Sequence, residues 1–194
     1  MPDAQHLDET NGYDFCVRYL SRNIGQVAPN LTNAEAIDIL NAGLALTAVQ
    51  HVSNPGWAPT ADLGTTYGAN AALNAASVGL PGGINIWCDL EGVASNTPSA
   101  TVIQYCHAWY TAVFNAGYIP GLYVGYNTCL TATQLYDLPF QHYWRSNSKV
   151  PDIPTRGYQL VQNSQTVDNT TGLQIDPDKT QNDNLGGAVL WLSA

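Results

Sequence analysis

The chain has 194 residues, 45% of them hydrophobic and 11% charged, with fifteen acidic residues against six basic ones. That composition excludes a disordered chain, and the formal charge of −9 repels nucleic acid and anionic membrane surfaces, so neither is an expected partner. With no linker and no internal repeat, residues 1–194 read as a single domain large enough to bury a real core.

Residues 1–11 are polar and unlike a signal peptide, which fits a cytosolic protein or a mature form whose leader is missing. No stretch approaches the ~20 apolar residues of a membrane span. Gly12 to Leu20 alternates and is rich in aromatic and β-branched residues, so it reads as the first strand. Asp14 shares one face of it with Cys16, while Tyr13, Phe15 and Val17 take the other. A helix opens at Leu31-Thr-Asn-Ala-Glu35, where Thr32 and Glu35 have capping-box spacing and Gly43 is a natural stop. That reading assigns Glu35 to the helix cap. Leu44–Val52 is the second strand, and its exit loop carries Trp57. An alanine-rich helix follows from about Asp62 to Ser77.

The third strand, Ile84-Asn-Ile-Trp-Cys-Asp-Leu-Glu91, organises the rest. Ile84, Ile86, Cys88 and Leu90 suit packing under a helix; Asn85, Trp87, Asp89 and Glu91 share the opposite face. Two carboxylates thus sit at the strand's C-terminal end, with α-carbons about 6.6 Å apart. Such a pair can hold one acid protonated while the other stays charged. The next helix runs from about Pro98 to Ala116, burying Val102, Cys106, Trp109 and Val113. Ile119–Tyr126 is strand four, Thr131–Tyr136 a short helix, Gln141–Ser146 strand five and Tyr158–Asn163 strand six. Gly172–Asp176 and Ala188–Leu192 complete eight strands.

Four strand–helix repeats predict parallel strands with right-handed crossovers. The later connections are too short for parallel pairing, so the closing strands are expected to be antiparallel or irregular. The expected fold is α/β: a small irregular TIM-like β/α barrel, with helices mainly in its first half and short closing strands in its second. An open doubly wound sheet is the alternative, but no Gly-x-Gly-x-x-Gly fingerprint follows any strand.

Barrel chemistry collects at the C-terminal strand ends. Asp14, Asp89, Glu91 and Asp176 lie in or at the ends of predicted strands, and the six basic residues, mostly in loops, are not placed to neutralise all four. Mutual repulsion is then expected to keep Glu91 protonated near neutrality. Trp57, Tyr126 and Trp144, near strand ends, suit stacking on sugar rings. Asp176-Pro-Asp178 and Asn182-Asp183-Asn184 lack the glycine and glutamate of a calcium loop, and neither a metal nor another cofactor is expected. No Gly-x-Ser-x-Gly elbow exists, so a serine hydrolase is not expected. Cys16, Cys88, Cys106 and Cys129 allow three disulfide pairings or four buried thiols, with Cys88 and Cys106 the expected neighbours.

Together the motifs resemble a known family. Gly12-Tyr-Asp14 with Arg18-Tyr-Leu20, then Leu31-Thr-Asn-Ala-Glu-Ala36 and Ala42-Gly-Leu44, are similar to the opening of the glycoside-hydrolase-like domains of the DUF1906 group. Ile86-Trp-Cys-Asp-Leu-Glu91 resembles their central strand, Gly121-Leu-Tyr-Val-Gly125 the next, and Ile175-Asp-Pro-Asp178 their closing acidic motif. That group is similar in fold to lysozymes of the fungal and phage muramidase type, which cleave peptidoglycan between its two sugars. The resemblance implies a general acid at Glu91 and a charge-stabilising Asp89, with Asp14 and Asp176 in support. Many members carry Asp-x-Asp at the third strand, so the retained Glu91 bears on activity. The implied partner is peptidoglycan or a related polysaccharide, and a monomer is expected. An inactive carbohydrate-binding or wall-associated module on the same scaffold is the alternative. Scarce lysine and an Ala/Asn/Thr/Gly-rich texture suggest an exported bacterial protein, and the resemblance implies a secreted or wall-associated one, with a cytoplasmic protein the alternative.

Overall fold

The computed structural model describes residues 2–9 and 11–194. The expected barrel is present as a curled, mostly parallel seven-stranded sheet. A helix the sequence pattern did not reveal, α1 (Pro2–Glu9), precedes β1 (Phe15–Leu20). Then come α2 (Asn33–Asn41), β2 (Ala45–Gln50), α3 (Ala61–Ser77), β3 (Asn85–Leu90), α4 (Ser99–Asn115) and β4 (Ile119–Val124). The second half comprises α5 (Ala132–Tyr136), β5 (His142–Arg145), β6 (Leu160–Gln162), β7 (Thr166–Val167), β8 (Gln174–Ile175) and β9 (Asp178–Thr180). Strands run in the order β1-β2-β3-β4-β5-β6-β9, parallel throughout except that β9 joins β6 antiparallel.

Local chemistry sets the helix starts. Thr32 accepts the Glu35 amide at 3.1 Å, and Thr131 with Gln134 forms a complete capping box on α5. The Glu35 carboxylate does not close its own cap; it pairs with Arg18 at 2.7 Å. Two glycines let the backbones of α3 and α4 approach closely: a Cβ at Gly64 would collide with the Tyr105 carbonyl, and one at Gly68 would lie 2.7 Å from the Trp109 carbonyl oxygen.

The alternation of β3 separates two cores. On its outer face Ile86, Cys88 and Leu90 join Val102, Cys106, Trp109 and Val113 of α4. Each such side chain contributes about 1.5–3 kcal/mol by leaving water. Polar groups in this layer are satisfied, since the Trp109 indole donates to Gln50 at 2.9 Å and Gln50 donates to the Tyr67 carbonyl at 2.7 Å. On the inner face Trp87 packs with Val49, Trp144, Leu160 and Val189, filling the barrel. All four cysteines are free thiols. Cys88 and Cys106 are neighbours in the outer core, and Cys88 lies 3.9 Å from the Tyr105 hydroxyl.

The closing half departs from expectation. The predicted seventh strand forms only β8, in a two-stranded hairpin with β7, while the unpredicted β9 joins β6 as an edge strand of the main sheet. The predicted eighth strand, 188–192, is not a barrel strand. It crosses the N-terminal ends of β2 and β3, where Leu46 and Leu192 exchange backbone hydrogen bonds and Leu190 meets Asn85. There Trp191 packs on Phe15, with ring centroids 4.6 Å apart, and stoppers the bottom of the barrel. No described helix is long and apolar enough to cross a membrane.

Candidate active site

The C-terminal end of β3 carries Asp89 inside the strand and Glu91 just after it. Register explains why they face the barrel mouth. Trp87, Asp89 and Glu91 share the inner face, and on the neighbouring strand Gly121, Tyr123 and Gly125 lie beside them. The glycines supply room: Trp87 lies across Gly121, and a Cβ at Gly125 would collide with Cβ and Oε2 of Glu91. The Gly-x-Tyr-x-Gly pattern of β4 is therefore a bed for the large side chains of β3. Gly125→Ala is expected to displace the Glu91 carboxyl while costing about 1–3 kcal/mol of stability. A crystal structure of the variant with Glu91 unmoved would contradict this steric account.

Asp89 is 7% exposed, and its Oδ1 is buried without a hydrogen-bond partner. Burial first, then the charge of Glu91, pushes its carboxyl well above the ordinary range, against the opposing pull of the Val52 amide. Half-buried Glu91 is also raised, by burial. The larger displacement thus falls on Asp89, not on Glu91 as the sequence suggested, because Asp89 lies deeper. Among the described residues neither acid has an ion-pair partner; Arg18 pairs with Glu35 and Arg156 with Asp183. No group of three or more His, Cys, Asp or Glu side chains suited to a metal occurs among the described residues.

Asp176 lies between β8 and β9 and accepts Gln162 Nε2 at 3.2 Å. Gln162 in turn accepts the Tyr123 hydroxyl at 3.0 Å, so Asp176 is tied to the strand beside the acid pair. Its charge also reaches Tyr19 and Asp178. Asp14 is not part of this group. It is exposed, precedes β1, and uses its carbonyl to bind the Ala45 amide at 3.0 Å. Through the register Tyr19–Val49–Trp87, Asp14 is seven residues below Asp89 along the strands, about 23 Å away. Its side chain also has the outward parity of Cys16.

The predicted aromatic residues divide. Trp57 is 9% exposed, packs edge-on against Tyr105, and donates its indole N–H to the Glu91 carbonyl at 2.9 Å. It fixes the backbone at the acid and offers no free face. Trp144, 5% exposed, lies inside the barrel between Trp87 and Tyr123 and donates to Asp178 at 2.7 Å. Only Tyr126, 40% exposed and next to Gly92, presents a ring to solvent.

Two further residues of the mouth were not assigned to it from the sequence. Asp178 faces Gln162 across the β6–β9 pair, and burial pushes its carboxyl up to about 7 despite the Trp144 hydrogen bond. A three-residue strand carries no periodicity to reveal that placement. Tyr19 ends the inner face of β1, and the parity of Phe15 and Val17 was the signal for it. A surface groove lined by Ile24, Leu31, Leu73 and Asn74 lies on the helical exterior, holds no ionisable group and takes no part in this chemistry.

A search of curated proteins returns no match to the chain. Among solved structures it is similar to the Tat-secreted protein Rv2525c of Mycobacterium tuberculosis in complex with L-tartrate, with a TM-score of 0.71 and 15% identity over 92% of this chain and 90% of that one. The same protein in complex with HEPES matches with a TM-score of 0.71 and 15% identity over 94% and 92% of the two chains. An uncharacterized B. stearothermophilus protein matches with a TM-score of 0.68 and 17% identity over 93% and 91%. At these identities the likeness establishes the fold. The family model of the Rv2525c-like, glycoside hydrolase-like domain matches residues 5–182, and the chain belongs to that family.

Proposed function

We propose that the protein is a glycoside hydrolase acting on peptidoglycan or a related cell-wall glycan, with Glu91 as the general acid. The supporting observation is the pair Asp89/Glu91, both with raised affinity for a proton and neither with a cationic partner among the described residues. In the free protein the pair's shared proton rests on the deeper Asp89. A glycan lying over the mouth would strip water from Glu91 and draw the proton outward. Glu91 then donates it to the glycosidic oxygen as the bond to the anomeric carbon breaks. Asp89, left charged, stabilises the positive charge that develops there until water adds to the anomeric carbon and gives its proton back to the carboxyl pair. Asp176, held by Gln162, adds negative potential at the rim. All these groups come from one chain, so a monomer suffices. A secreted or wall-associated setting agrees with the Tat-secreted relative.

The burial of Asp89 favours a second reading, a carbohydrate-binding module on an inactive scaffold, because an acid that stays neutral stabilises no cation. A zymogram separates the two. The hydrolase clears a peptidoglycan-containing gel after renaturation; retention on insoluble peptidoglycan without clearing would establish the binding module instead.

A further inference from the structure

Strand β1 reaches the barrel mouth through Tyr19. We infer that Tyr19, clamped by His51, forms a sugar subsite on the β1 side of the acid pair, its ring stacking on one pyranose and its hydroxyl donating to a sugar oxygen. This rests on the glycan reading above and names where that glycan extends.

The geometry has three parts. First, the Tyr19 and His51 rings are stacked, with centroids 4.0 Å apart and planes 1° from parallel, and His51 Nε2 is anchored to Asn30 Oδ1 at 2.9 Å. One ring face is held and the residue is still 40% exposed. A fixed flat ring with one open face loses little freedom when a sugar lies on it. Second, register places Tyr19 level with Trp87 two strands away, so its α-carbon is about 12 Å from that of Asp89, roughly two sugar widths. Tyr126, also 40% exposed, follows β4 and lies next to Gly92, so in the order β1-β2-β3-β4 the carboxylates of β3 lie between two exposed rings. Third, the Tyr19 hydroxyl has no hydrogen-bond partner among the described residues. Burial and the negative charges of Asp89, Glu91 and Asp176 push it up to about 12, which keeps it a donor under all working conditions. His51 stays neutral, because burial and the nearby Arg22 and Arg18 lower its proton affinity. The clamp is thus an uncharged platform, suited to a neutral sugar rather than to an anion.

The test measures binding to sheared, purified peptidoglycan in the Glu91→Gln background, so that turnover does not consume the ligand. Tyr19→Ala removes ring and hydroxyl and is expected to weaken binding about tenfold or more. Tyr19→Phe keeps the ring and its stack on His51, and is expected to weaken binding about threefold. His51→Ala, which frees the ring, falls between them. The Phe variant disturbs no packing, so its effect is not one of misfolding. Binding by Tyr19→Ala equal to that of its parent overturns the subsite, as does a parent that binds no peptidoglycan. Failure of the hydrolase reading is scored separately, by wild type that binds without cleaving. In that case the graded loss across the Tyr19 series still establishes the subsite, on a binding module.

Discussion

Glu91→Gln is expected to lower the rate of peptidoglycan cleavage by about 10²–10⁴-fold, the usual contribution of a positioned general acid. Glutamine keeps the shape that fits over Gly125, so the bed on β4 and the Trp57 contact to the Glu91 carbonyl remain. What disappears is the transferable proton. Binding of intact glycan should stay within a factor of a few, since the exposed rings are untouched. Asp89→Asn should also lower turnover, through lost stabilisation of the oxocarbenium-like charge. It should not cost the stability normally lost when a buried charge loses its partner, because burial favours the neutral form of Asp89, which has no ionic partner among the described residues. Rates are compared by release of reducing ends, with binding measured in parallel. Equal rates in wild type and both variants would mean that these carboxyls do no chemistry.

Stability is expected to be greatest at mildly acidic pH, near 4–5, and to fall toward pH 8. Asp178 is raised from 3.8 to about 7, and Asp89 and Glu91 are raised as well. Between the unfolded and folded values of such groups the native state binds more protons than the unfolded chain. Raising the pH through that window therefore removes stability. For Asp178 alone the ceiling is about 4 kcal/mol, and access of water to its half-buried carboxyl brings the expectation to about 2 kcal/mol. Asp168 has the opposite sign. Its carboxylate accepts Thr171 and lies 3.4 Å from His6, which lowers it to about 2; its contribution is complete above the unfolded value and lost as pH falls through that of the folded state. Asp178→Asn keeps an acceptor for Trp144 and should flatten the decline between pH 5 and 8, leaving the part due to Asp89 and Glu91. Urea midpoints at the two pH values measure this. A wild type more stable at pH 8 than at pH 5 would contradict the burial of these acids.

The sequence made β3 legible because both of its faces carry information. Ile86, Cys88 and Leu90 match the helices outside, and Trp87, Asp89 and Glu91 could then only point inward. Helix α4 was legible for the same reason, its four buried positions recurring at helical spacing. Asp14 was grouped with the other acids because it sits in a predicted strand, and again by the resemblance, against its own parity, which it shares with outward-facing Cys16. Its place at the mouth is filled by Tyr19, five residues along the same strand. Trp57 looked like an exposed ring in a turn, but a long-range hydrogen bond to Glu91 draws it into the core, and no local pattern encodes that. The closing half was least legible, since β8 and β9 have two and three residues and are fixed by tertiary contacts. Asp178 became visible as a buried acid only once β9 was paired with β6.

The central claim is that the Asp89/Glu91 pair holds a proton near neutrality before any ligand arrives. Carbon-detected NMR titration of the side-chain carboxyls in the free protein tests it without a substrate. Both carboxyls should titrate above the ordinary carboxylate range, Asp89 at the higher pH, and Glu91→Gln should lower the Asp89 midpoint by removing the neighbouring charge. Midpoints near 4 for both residues, unchanged for Asp89 in the variant, would contradict the account.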